Sequence, residues 1–103
     1  MTTIEDLIDD TPEQILKVGM DYHLRYGNIN SKAIINYKNK SITFNQFFND
    51  TKVSFLHEAL HHIYDNVIGM YRTEEEIESE AKELYEKSCY RAITRHVLEN
   101  YLK

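Results

Sequence analysis

His57 and His61 stand one helical turn apart within residues 53–68, and this pair constrains the chain more than any other feature. Phe55, Leu56, Ala59, Leu60, Ile63 and Val67 recur through the run at helical spacing. Asp50 and Thr51 supply a start signal and Gly69 a stop, so a helix is expected from about residue 51 to residue 67 or 68. On a helix, residues four apart differ by about 40° in azimuth and one turn in height. Two imidazoles placed so converge on one metal ion. Glu58, beside them, is suited to take a proton from a metal-bound water. The motif reads His57-Glu58-Ala59-Leu60-His61, which is H-E-x-x-H. His62 points away from the pair and is expected at the surface or in a supporting role.

A hydrolytic zinc site takes three protein ligands and keeps one position open. Gly at 64 and His at 67 would complete one common form, but Tyr64 and Val67 stand there. A Glu from a following helix is the other common solution. Thr73 and Glu76 form a capping box, so a third helix is expected to start there. It could run to about residue 102, with a break near residues 89–91. Its apolar stripe is Ile77, Ala81, Leu84, Tyr85, Ser88 and Ala92. Glu74, Glu78 and Glu80 lie about 30°, 70° and 90° from the centre of that stripe. Azimuth therefore admits Glu74 or Glu78. Glu74 sits where a carboxylate also favours the helix dipole, while Glu78 lies one turn deeper.

The rest of the chain supplies the frame. Residues 3–9 suggest a short amphipathic turn carrying Ile4, Leu7 and Ile8. Thr11-Pro12-Glu13-Gln14 is a helix start with Thr11 as cap, and Gly27 is the expected stop. That helix should bury Ile15, Leu16, Val18, Met20 and Tyr22 to varying degree. Residues 33–37 and 41–45 are rich in β-branched and aromatic side chains and read as a β-hairpin, with Asn39 supplying the positive φ. The expected fold is α+β: one domain over residues 1–103, three main helices plus a hairpin, and a metal site between the second and third main helices. A length of 103 residues leaves room for one core.

Charge narrows the partners. Twelve Lys and Arg against 17 Asp and Glu give a net charge of −5, which argues against a nucleic-acid groove or an anionic membrane surface. No run approaches the roughly 18 apolar residues of a membrane span. The first ten residues are acidic and lack a signal-peptide layout. One cysteine, Cys89, excludes an internal disulfide, so a reducing, cytoplasmic setting is expected. Cys89 lies about 16 Å along a continuous helix from Glu78 and is expected as a buried thiol, not a ligand.

With hairpin, H-E-x-x-H helix and Glu-bearing helix in that order, the chain resembles the gluzincin zinc peptidases. It is most similar to the compact ImmA/IrrE family of phage and bacterial metallopeptidases. Those proteins pair an H-E-x-G-H helix with a later E-x-E-A-(N/D) helix, which here reads Glu78-Ser79-Glu80-Ala81-Lys82. Leu60 stands at the Gly position and Lys82 at the Asn/Asp position. The resemblance covers roughly residues 33–90. It implies His57, His61 and Glu78 as zinc ligands, and Glu58 as the general base of peptide-bond hydrolysis. It also implies a protein or peptide substrate docked along the hairpin, with Ser41–Asn45 as the edge strand.

Two supporting roles follow from a peptidase reading. Asp65 is the candidate acceptor for the second ring nitrogen of His61, and Tyr71, Tyr85 or His96 the candidates to stabilise an oxyanion. A different class also fits the sequence: a zinc-stabilised binding or regulatory module whose fourth coordination position is filled by a side chain such as Glu74. A metal-free helical interaction domain, presenting some of the eight Tyr to a partner, is a third reading.

Overall fold

Helix α3 (Thr51–His62) is the axis of the molecule. Val53, Ser54, Phe55, Leu56, Glu58, Ala59 and Leu60 are all buried along it, because neighbours pack against nearly its whole circumference. The computed structural model describes residues 2–48 and 50–102. Around α3 lie α1 (Ile4–Leu7), α2 (Thr11–Asp21), α4 (Glu74–Tyr85), α5 (Ser88–Tyr101) and a three-stranded sheet. The architecture is a compact α+β globule with a radius of gyration of 12.5 Å. Among the described residues, no helix is long and apolar enough to cross a membrane.

The sheet contains one strand that the sequence reading missed. Helix α2 stops at Asp21 and not at Gly27; Tyr22 turns extended, and β1 (His23–Gly27) follows. The signal was present in His23-Leu24-Arg25-Tyr26, whose apolar and polar residues alternate with period two. Leu24 is fully buried, which a helical continuation would not achieve on the same face. Met20, expected in the core, is exposed on the outer side of α2. The helix cap also falls one residue early: Asp10, not Thr11, is the N-cap, and Gln14 Nε2 donates to its Oδ2 at 3.0 Å.

Strands β2 (Ala33–Asn36) and β3 (Ser41–Asn45) form the expected antiparallel hairpin. Asn36 Oδ1 accepts from the N–H groups of Lys38 and Asn39 at 3.0 and 3.1 Å, forming an Asx turn. The left-handed residue is therefore pushed one place on, to Lys40 with φ 55°, and is not Asn39. The sheet order is β1-β3-β2, with β1 parallel to β3. Strand Ser41–Asn45 is thus the centre of the sheet, paired on both sides, and not its edge. The hairpin's free edge is β2, which lies beside α3.

After His62 the helix widens into a π-helical segment, Ile63–Ile68, and Gly69 closes it at φ 76°. Thr73 then starts α4 with the expected capping box: Thr73 Oγ1 accepts from Glu76 N at 3.1 Å, and Glu76 Oε1 accepts from Thr73 N at 2.9 Å. The break between α4 and α5 falls at Glu86 and Lys87, earlier than residues 89–91. The Arg91 guanidinium donates to the carbonyls of Tyr85 and Glu86, which satisfies the end of α4. Because α5 starts afresh, Cys89 faces outward and is exposed, contrary to the buried thiol expected, while Tyr90 turns inward.

Helices α2 and α5 approach closely at Gly19. A Cβ there would lie 2.5 Å from Val97 Cγ1 and 3.1 Å from its Cβ. Gly19→Ala gains up to about 1 kcal/mol of helix propensity but must push α5 away, at about 1–3 kcal/mol. Net destabilisation is expected, visible as a lower urea midpoint than wild type; an equal or higher midpoint would contradict this packing.

Candidate metal centre

Helix α3 sends His57 and His61 toward the N-terminal half of α4. Their rings are 4.8 Å apart between centroids, and the two Nε2 atoms are 3.1 Å apart. Donor atoms of His57, Glu58 and His61 all lie within 4.8 Å of one another, so this helix-borne group could hold a metal ion. A cleft of about 620 Å³ opens onto it between residues 31–33 at the start of β2, α3 and α4.

Both glutamates that azimuth admitted reach the histidines, at different atoms. Glu74 spans the pair: Oε2 lies 3.0 Å from His57 Nε2, and Oε1 lies 2.7 Å from His61 Nε2. Glu78 meets the opposite side of one ring, with Oε1 2.9 Å from His57 Nδ1. Its Oε2 faces Lys32 Nζ at 3.8 Å and Lys82 Nζ at 3.9 Å. An ionised carboxylate only accepts, so a proton on His57 Nδ1 would be donated to Glu78. In that tautomer the His57 Nε2 lone pair would face His61 Nε2 and Glu74.

The four atoms involved, two imidazole Nε2 and both Glu74 oxygens, face one another at 2.7–3.1 Å, a spacing that shared protons or a bound cation can hold. Their spacing suits such an ion. Ligands about 2.1 Å from a tetrahedral zinc stand about 3.4 Å apart. The two Nε2 atoms, 3.1 Å apart, stand slightly closer than that, and one Glu74 oxygen faces each of them. The donor set of two imidazoles and a carboxylate also matches zinc's ordinary preference.

Glu58 is buried beside the pair, at 7 % exposure. Burial, reinforced by the Glu74 and Glu78 charges and opposed by His57, pushes its carboxyl up to about 7. Such a group exchanges protons near neutrality. A bound cation would counter that rise.

The supporting residues differ from the expectation. Asp65 does not serve His61; it accepts from Tyr37 OH at 2.6 Å. The π-helical widening from Ile63 rotates Asp65 off the i+4 position that an α-helix would give it. His62 is half-buried, with Nδ1 2.7 Å from Tyr22 OH, and burial holds its pKa below the ordinary range. Tyr71, Tyr85 and His96 are all absent from the cleft lining. Lys32 and Ser54, which do line it, were not singled out by sequence. Ser54 precedes His57 by one turn on the buried face, a position the helical wheel alone could have flagged.

No protein-family model, curated protein or solved structure matches the chain. The class defined by fold and site is therefore a compact α+β protein with a helix-borne His/Glu/His group able to take a metal ion.

Proposed function

We propose that this protein is a small zinc-dependent metallopeptidase of gluzincin type, akin to the ImmA/IrrE proteins. The observation that carries the reading is the convergence of His57 Nε2, His61 Nε2 and the Glu74 carboxylate at 2.7–3.1 Å, beside buried Glu58 and facing an open cleft. In this reading His57, His61 and Glu74 hold the ion. Glu78 serves as a carboxylate partner that orients His57 through Nδ1, in place of the ligand role that the resemblance implied. When bound, the ion supplies Lewis acidity toward a carbonyl and toward water.

The chain's own residues do the remaining work. Glu58 accepts a proton at its carboxylate as the nucleophilic water attacks, and returns it to the leaving amine. The free edge of β2 borders the cleft. Asn45 N donates to Lys32 O at 2.9 Å, so the alternation of the antiparallel ladder turns the backbone groups of Ala33 and Ile35 to the free edge. Those groups suit an extended peptide added as a further strand, so a protein or peptide substrate is the proposed partner.

The test is cleavage of an unfolded protein substrate by zinc-reconstituted enzyme, with and without chelator, beside Glu58→Gln. The reading expects chelator-sensitive cleavage that falls by about 10²–10⁴-fold in Glu58→Gln while zinc content is unchanged. Zinc bound at full occupancy with no cleavage of any unfolded substrate would favour the zinc-stabilised binding module instead.

A further inference from the structure

The ligands come from two helices, so something must hold those helices in register. The Glu74 side chain is 75 % exposed and sits on the first residue of α4, a position prone to fraying. Little packing restrains it locally. Yet its carboxylate meets both histidines.

Tyr64 supplies the restraint. It lies three residues beyond His61, in the π-helical segment, and is fully buried. Its carbonyl accepts the N–H groups of Gly69 and Met70, both at 2.9 Å, fixing where the chain leaves α3. Its ring lies under the Arg72 guanidinium, 5.2 Å from carbon to centroid, just before α4 begins. Its hydroxyl donates to Glu80 Oε1 at 2.6 Å, inside α4. One residue thus grips the start of the connection through its backbone, and its end and the helix beyond through its side chain.

Glu80 completes the junction. It is 4 % exposed, and its other oxygen accepts from Ile4 N at 2.6 Å. Arg72 in turn donates to Thr2 O at 2.8 Å, so the N-terminal segment is tied into the same knot. A buried carboxylate is costly to desolvate, and an apolar side chain would serve packing as well. Its contribution is directional: two hydrogen bonds set where α4 sits relative to the π-helical segment and α1.

We infer that Tyr64 and Glu80 are positioning residues for the metal centre, holding the first turn of α4 where the Glu74 carboxylate spans His57 and His61. The inference rests on the metal reading above. Neither residue lines the cleft. They act through Glu74, so their influence on metal should vanish once Glu74 is gone.

The experiment titrates Co²⁺ into wild type, Tyr64→Phe, Glu74→Ala and the double variant, following the visible absorption that distinguishes tetrahedral from higher coordination. Wild type should give the intense tetrahedral spectrum. Tyr64→Phe should lose affinity by about 10-fold and shift toward the weaker, higher-coordinate spectrum. In the Glu74→Ala background the same substitution should change affinity by less than about twofold. An equal loss in both backgrounds would mean general loosening and would overturn the positioning role, as would an unchanged Tyr64→Phe spectrum and affinity. Should Tyr64→Phe fail to fold, Arg72→Met, which removes the cation over the Tyr64 ring, is put through the same cycle with the same expectations. Absence of Co²⁺ binding by wild type would overturn the metal reading itself and this inference with it, a result distinct from binding without coupling.

Discussion

Glu74→Ala should cut zinc affinity by about 100- to 1000-fold, whereas Glu78→Ala should cut it by only about 10- to 100-fold. Structural zinc bound by four ligands is held by about 10–16 kcal/mol, so one ligand is worth about 3 kcal/mol. That sets the first figure. Of the two histidines Glu78 meets only His57, at Nδ1 and 2.9 Å. Its removal leaves the three converging groups in place but frees the ring to turn and makes its Nε2 a weaker donor, the usual penalty for losing a carboxylate that orients a ligand. Competition with a chromophoric chelator measures both. The opposite ranking, with Glu78→Ala the more damaging, would return the ligand role to Glu78.

Phe55→Ala should be the most destabilising core substitution on α3, at about 3–5 kcal/mol. Phe55 is fully buried on the helix that every other layer packs against. Helix α3 packs against α2, α4, α5 and the sheet, elements that cannot all close on one void. For a domain of this length, 1 kcal/mol corresponds to about 4–8 °C in Tm, so a fall of more than about 12 °C is expected. Phe47, 74 % exposed, is the control. Its replacement by Ala should change stability by less than about 0.5 kcal/mol. Thermal melts of both variants check the contrast, and a small shift for Phe55→Ala would show that the core collapses more readily than this packing implies.

The sequence carried the local signals well. Helix α3, the hairpin and the Thr73 cap could all be read from periodicity and capping residues, because each rests on contacts within a few positions. What it missed lay in tertiary placement. His23-Leu24-Arg25-Tyr26 had the strand period, yet only the parallel pairing Leu24↔Ile42 decides against a longer helix. That pairing also moves Ser41–Asn45 from the edge to the middle of the sheet. The π-helical turn displaced Asp65, and no residue-level rule anticipates such widening.

The candidate metal site shows the same division. His57, Glu58 and His61 follow from one helix and its 3.6-residue turn. The roles of Glu74 and Glu78 depend on the height of α4 against α3, which azimuth within α4 cannot supply. Azimuth left Glu74 and Glu78 both open, and both reach the histidines, Glu74 at the two Nε2 atoms and Glu78 at His57 Nδ1. Tyr64 and Glu80 were legible only as an aromatic and an acid at helical positions. Their hydrogen bond joins residues 16 apart in sequence, through a turn whose path the chain does not announce.

The central claim is that the cleft between α3 and α4 is a metal centre. Elemental mass spectrometry on untagged protein after zinc reconstitution, beside His57→Ala, tests it most directly. One zinc per chain in the wild type, lost from His57→Ala, is the expected result. No bound zinc in a folded wild type would contradict the claim and leave the two imidazoles and the Glu74 carboxylate held together by protons alone.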